Sequence, residues 1–133
     1  MKESSNIIVQ SSNNGISRIK LYEPSTYNAL SLNTLESLIK NFKIFNNDKK
    51  TKVIIIEGSG KGFSAGHNLK EINSLKGKAD YQKLFNLCSE LMMNIVHNSK
   101  PVIAKVHGAA FAAGCQLVAT CDLALCTKDA IFA

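Results

Sequence analysis

Apolar and polar residues alternate in two short runs near the start of the chain. Ile7 to Gln10 and Ile16 to Leu21 read as strands around Asn13-Asn14-Gly15, where Asn and Gly tolerate the left-handed backbone of a tight hairpin. The period changes after Ser31. Leu32, Leu35, Leu38, Ile39, Phe42 and Phe45 recur at three- and four-residue steps, as on one face of a helix capped by Ser31. Leu84, Leu87, Cys88, Leu91, Met92 and Ile95 repeat the pattern for a second helix, with Asp80 as the expected cap. Both stripes are expected in the core. Val53 to Glu57, Pro101 to Val106 and Leu123 to Cys126 are short continuous apolar runs, the signature of buried strands. Strand and helix therefore alternate, which predicts an α/β fold with a largely parallel sheet, wound right-handedly with helices outside. Ser74 to Asp80 (SLKGKAD) is the expected flexible loop.

Composition narrows the class. At 133 residues the chain is long enough for one core, and 45% apolar with 20% charged residues fits a soluble globular protein. No apolar run approaches the ~20 residues that cross a bilayer, so no membrane association is expected. The opening MKESSNIIVQSSNNG lacks the order of a signal peptide, and Glu3 with no arginine argues against a mitochondrial presequence. A cytoplasmic location is expected, with the mitochondrial matrix as the alternative. Cys88, Cys115, Cys121 and Cys126 show no CxxC spacing and read as free thiols, three of them in or beside core segments, so neither a metal nor a disulfide is expected. The net charge of +6 comes from scattered lysines, densest at Lys40, Lys43, Lys49, Lys50 and Lys52, with no interleaved aromatics to stack bases. Nucleic acid is not an expected partner.

Two segments carry candidate chemistry. Lys100 to Asp122 (KPVIAKVHGAAFAAGCQLVATCD) sets a strand against a run of small residues that leads into a helix, and Gly58 to Ile72 (GSGKGFSAGHNLKEI) does the same before a helix resuming near Asn68. Neither has GxxxxGK[ST] or GxGxxG spacing, which excludes the nucleotide-binding loops. Unpaired N–H groups at a helix start, with no bulk around them, stabilise an anion or an oxygen becoming one. Tight packing of a small-residue helix on a sheet is the structural alternative. Ser64 has no His and acid at recognisable spacing, His107 and His97 read as structural and surface residues, and His67 adjoins the first small-residue turn.

The pair FSAGHNLKEI and KPVIAKVHGAAFAAGCQLVATCD, with YEPSTYNALSLNTLESL upstream, resembles the enoyl-CoA hydratase/isomerase (crotonase) superfamily, and in particular its domain-containing branch with Gln after the Gly-Cys pair. The resemblance runs from about Ile7 to the last residue. It implies a crotonase-like (ClpP/crotonase) spiral of strand-strand-helix units, of which residues 1–133 are the N-terminal part of a single domain, truncated before the C-terminal half. Marginal stability or association is expected of such a part, and a homotrimer or hexamer of the full length. The implied ligand is an acyl-CoA thioester, with coenzyme A part of the substrate and no separate cofactor. Ala65 and Ala113 are the implied oxyanion-hole N–H donors. Ser64, Gly66, His67, Asn68 and Leu69, with Asn28, Ala29, Leu30 and Gly114, are implied to shape the substrate site. Lys61 and Lys70 flank the first motif and are candidates for the coenzyme A phosphates.

One departure from the family pattern matters. Gln116 stands where hydratases of this family carry a catalytic glutamate, and an amide cannot gain and lose a proton near neutrality. Gln116 can orient water or substrate by hydrogen bonding, or serve only the helix. Three readings stay open: acyl-CoA lyase or isomerase chemistry in fatty-acid or acyl-CoA metabolism, a non-catalytic acyl-CoA binder, or another thioester chemistry such as hydrolysis.

Overall fold

The computed structural model describes residues 8–133. β1 (Ile8–Asn13) and β2 (Ile16–Leu21) form the expected antiparallel hairpin, with Asn14 and Gly15 both at positive φ (51° and 81°) in its turn. Ile7 lies outside the described residues, and β1 runs on to Asn13. β3 (Val53–Gly58), β4 (Val102–Val106) and β6 (Leu123–Cys126) then add in parallel, giving the order β1-β2-β3-β4-β6.

Two long helices cover one face of this sheet. α1 (Leu32–Asn47) starts where expected, with the Ser31 hydroxyl accepting the Thr34 N–H at 3.1 Å. α3 (Lys78–Val96) starts earlier than expected: Gly77 is its cap, and Asp80 sits in the first turn, where its carboxylate accepts the Lys76 N–H at 3.2 Å. The position still suits an acid, because the helix start carries the positive dipole end. The loop predicted over Ser74 to Asp80 shrinks to Leu75–Gly77, behind the short α2 (Leu69–Ser74) that Asn68 caps. Leu35, Leu38 and Phe42 of α1, and Leu84, Leu91 and Ile95 of α3, form one buried cluster with Ile19, Leu21, Ile54, Ile56, Val102 and Ala104 of the strands. Burying a large aliphatic or aromatic side chain contributes about 1.5–3 kcal/mol, so this cluster fixes which sheet face turns inward.

The segment after β4 departs from its sequence pattern. Ala109–Ala110 is a short strand, β5, paired in parallel with β7 (Ile131–Phe132), whereas α4 begins at Ala113, the expected helix start, and ends at Thr120. Alanine favours helix, but β7 offers hydrogen bonds to this backbone: the Ala133 N–H donates to Ala110 O and the Ala112 N–H to Ala133 O. At the far side of the sheet β6 is exposed throughout, with Leu123 and Leu125 more than half accessible, and Ile131 of β7 is similarly open. Cys88 is buried and Cys115 and Cys121 half-buried, whereas Cys126 is exposed on β6. Among the described residues no helix is long and apolar enough to cross a membrane.

Candidate functional site

The two small-residue turns lie against each other, and the close approach explains their composition. Phe63 and Ser64 donate their N–H groups to Ala109 O at 3.0 and 3.1 Å, and the Phe111 N–H returns to Ser64 O at 2.9 Å. A Cβ on Gly66, which sits at φ +90°, would fall 2.8 Å from Phe111 O and 3.2 Å from Ala113 N; a Cβ on Gly114 would meet Ser64 O at 2.5 Å. Only glycine fits at these two positions. The small residues are therefore required for packing, as the structural alternative held, and that packing brings Gly66 beside the start of α4.

The individual N–H groups decide what the junction can hold. Ala65 was expected to present an open donor; instead its N–H donates to Tyr27 O at 2.9 Å, because Tyr27 and Asn28 both adopt left-handed backbone (φ 54°) beside it. The Gly66 N–H reaches Ser64 Oγ at 3.2 Å. The next N–H in line, that of His67, has no acceptor among the described residues. Ala113, the other expected donor, likewise has none, whereas its neighbours are engaged: Ala112 with Ala133 O at 2.7 Å and Gly114 with Phe111 O at 2.8 Å. Ala112 is a non-glycine residue at φ 49°, ψ −121°, a strained conformation at the cap of α4. The positive end of α4 adds its field to the Ala113 N–H.

The other candidates divide between scaffold and cleft. Asn28, expected at the coenzyme A site, is 1% exposed and ties the first turn together: its Nδ2 donates to Ser59 O, Gly62 O and Phe63 O at 2.8, 3.0 and 3.1 Å, and its Oδ1 accepts the Glu23 N–H at 2.9 Å. Ser64 is equally buried, with its hydroxyl donated to Asn28 O at 2.8 Å, so neither its side chain nor its backbone is open to a ligand. Leu30 is fully buried and bonded to Gly66 O at 2.7 Å, and Gly114 is buried in the junction. These four act as framework. Ala29, Ala65, His67, Asn68, Leu69 and Lys70, with Ser25 and Thr26, line a shallow cleft of about 280 Å³. Lys61 is exposed but lies outside this lining.

Gln116 is exposed on α4, makes no side-chain hydrogen bond among the described residues, and is not among the cleft-lining side chains. His107 has the structural role expected, its Nε2 at 2.7 Å from Gly60 O, and His97 is the exposed C-cap of α3. Beyond α4, burial and then the neighbouring Asp122 push the Cys121 thiol up to about 12, and the Thr127 hydroxyl is the main group holding Asp129 below the usual carboxylate range. No cluster of three or more His, Cys, Asp or Glu side chains suited to a metal occurs among the described residues.

The residue that the sequence reading placed one role too low is His67. Its N–H stands open because the pairing of residues 27–30 with 65–67 engages alternate groups, and no sequence signal reports which of them is left over.

Comparison with known proteins adds an independent line. Residues 11–133 match the enoyl-CoA hydratase/isomerase family model. The chain is 45% identical over 131 residues to the mitochondrial enoyl-CoA hydratase domain-containing protein 3 of Danio rerio, covering 98% of this chain and 45% of that protein. It is 44% identical over 119 residues to the Homo sapiens protein of the same name, covering 90% of this chain and 39% of that one. Among solved structures, an enoyl-CoA hydratase of Mycobacterium smegmatis superimposes with a TM-score of 0.92 at 42% identity, and the human domain-containing protein 3 with 0.92 at 41%, each covering 96% of this chain and 50% of the other. The chain thus spans about half the length of the relatives it matches, and its sheet and paired turns are the crotonase fold over that half. On the family match, the identity and the shared fold together, this chain belongs to the enoyl-CoA hydratase/isomerase family.

Proposed function

We propose that the junction of the two turns binds the carbonyl oxygen of an acyl-CoA thioester, using the N–H groups of Ala113 and His67 as an oxyanion hole. The observation that carries this is the pair of N–H groups without acceptors among the described residues, on turns packed so closely that a Cβ on Gly66 would lie 3.2 Å from Ala113 N. Donors fixed in place before the ligand arrives stabilise developing negative charge without reorganising, which in enzymes contributes about 3–4 kcal/mol per donor. Removing a proton next to a thioester carbonyl yields an enolate whose charge rests on that oxygen. Lyase or isomerase chemistry of acyl-CoA metabolism is the reaction class this fits, and coenzyme A is part of the substrate, so no separate cofactor is invoked. The mitochondrial names of the relatives favour the matrix over the cytoplasm, and a homotrimer or hexamer is the proposed assembly of the full-length form.

Calorimetric titration with acetoacetyl-CoA and with free CoA tests the site. Tighter binding of acetoacetyl-CoA, whose enolate mimics the charge the donors would hold, is expected; no binding of either by folded protein overturns the proposal.

A second reading, a binder without turnover, is favoured by Gln116, which cannot act as a base. Gln116→Glu separates the two. If the site lacks only its base, the variant gains crotonyl-CoA hydration by about 10²-fold or more over the parent. A soluble variant that binds the thioester and gains nothing leaves the binder reading standing.

A further inference from the structure

Asn68, Leu69 and Lys70 form part of the cleft lining, and the segment that carries them is held to the rest of the molecule at few points. None of the six residues of α2 is buried, and Leu69 is 76% exposed; Ile72 and, just beyond, Leu75 are partly buried against the core. The side-chain bonds of Asn68 and Ser74 stay inside α2 and its cap. Two bonds join α2 to other elements among the described residues. The Tyr81 hydroxyl of α3 donates to Ile72 O at 3.4 Å, the long limit of a hydrogen bond, and Glu71 Oε2 accepts the Leu32 N–H at 3.0 Å. Ahead of α2, His67 is pinned to Leu30 by a parallel bridge. Behind it the chain turns at Gly77, where a Cβ would meet nothing within 4 Å and the exposed bond from Lys76 N–H to Asp80 is the nearest tie.

The Glu71 bond connects the two parts of the cleft lining. Leu32 N–H is one of the unpaired groups at the start of α1, where the helix dipole favours a carboxylate. Ser25, Thr26 and Ala29 line the cleft and lead into that helix start, so the bond clips the segment carrying Leu69 and Lys70 to the one carrying Ala29. With the clip made, the cleft holds about 280 Å³, below the roughly 300–1,000 Å³ of pockets that take drug-sized ligands, and a coenzyme A thioester is larger than those. We propose that residues 68–77 form a flap, latched by Glu71 to the start of α1, that swings open to admit a ligand to the cleft. Segments with few buried apolar contacts open at low free-energy cost, so one charge-assisted bond is enough to set how often this one does. The nature of the ligand rests on the thioester reading of the site, whereas the latch is measurable with no ligand present.

Hydrogen exchange of the whole chain without ligand tests the latch. Glu71→Ala is expected to speed exchange of amides 69–76 about tenfold, the effect of losing one charge-assisted hydrogen bond, while amides 84–95 of α3 stay unchanged. Glu71→Gln keeps an acceptor without the charge and should fall between the two; it also serves if the alanine variant does not fold. Gly77→Ser acts in the opposite direction. Its side chain enters open space and its hydroxyl can cap α3, which has no side-chain cap, so stiffening the hinge should slow exchange of the same amides. Stopped-flow mixing with acetoacetyl-CoA reads the consequence for the cleft. A released gate quickens both association and dissociation, by about threefold or more in Glu71→Ala, whereas a lost ligand contact quickens dissociation alone. Unchanged exchange at 69–76 in Glu71→Ala, acceleration shared equally by α3, or faster dissociation alone overturns the flap. Folded wild-type protein that takes up no thioester overturns the thioester reading, and the exchange rates still decide the latch.

Discussion

The turn between β3 and α2 and the turn between β4 and α4 look alike in composition, yet they meet their backbone demands differently. In the first, positive φ falls on glycines, Gly60 at 73° and Gly66 at 90°; in the second, Gly108 takes 57° but Ala112 is held at 49°. The first is fastened from below by the Asn28 amide, and the second by its pairing with β7, through Ile131 N–H to Gly108 O, Ala133 N–H to Ala110 O and Ala112 N–H to Ala133 O. An uncapped, strained start leaves the Ala113 N–H open on α4, while in the first turn regular pairing with residues 27–30 takes up the Ala65 N–H and passes the open position to His67. Backbone donors are thus made available in two ways, by strain at a helix start and by the leftover of a short strand pairing. Composition alone does not distinguish them.

That contrast can be broken at the contact the turns share. Gly66→Ala places a Cβ at positive φ and against Phe111 O, so a loss of about 3–5 kcal/mol is expected in denaturant unfolding, with loss of acyl-CoA binding in whatever fraction folds. A stable, binding-competent Ala variant would show that the turns do not need this approach. Asn28→Ala acts on the first turn only. Three buried carbonyls lose their donor, which should cost about 2–4 kcal/mol and make the amides of residues 59–66 exchange faster than those of α4. Uniform exchange across both turns would contradict the separate fastening. Ala112→Gly acts on the second alone and has the opposite sign. Relief of the strained φ should exceed the entropy cost of glycine and raise stability by about 1 kcal/mol, read as a higher melting temperature. A lower melting temperature would mean that the conformation carries no strain.

Where local physics dominates, the chain is legible. The Asn-Gly hairpin, the Ser31 cap and the two apolar stripes follow from φ preferences, a side-chain hydrogen bond and helical period, and each is present at or near its predicted position. Elements that depend on a distant partner were read less well. Ala109 and Ala110 favour helix by propensity but form a strand because β7 pairs with them, and Asp80 fell inside α3 because the chain turns at Gly77. Among the site candidates, Ala113, Ala29, His67, Asn68 and Leu69 stand at the junction or its cleft, whereas Asn28, Ser64 and Leu30 proved to be framework.

The sequence by itself determined the family, the strand-helix alternation and the two turns where backbone would be exposed, since these rest on patterns within a few residues of each other. Tertiary structure alone decided which N–H groups remain open. An N–H is satisfied or not according to which carbonyl lies about 3 Å away, and that carbonyl, Tyr27 O for Ala65, belongs to a segment 38 positions earlier in the chain. A contact of that range is set by how the sheet packs, and leaves no local mark in the residues themselves.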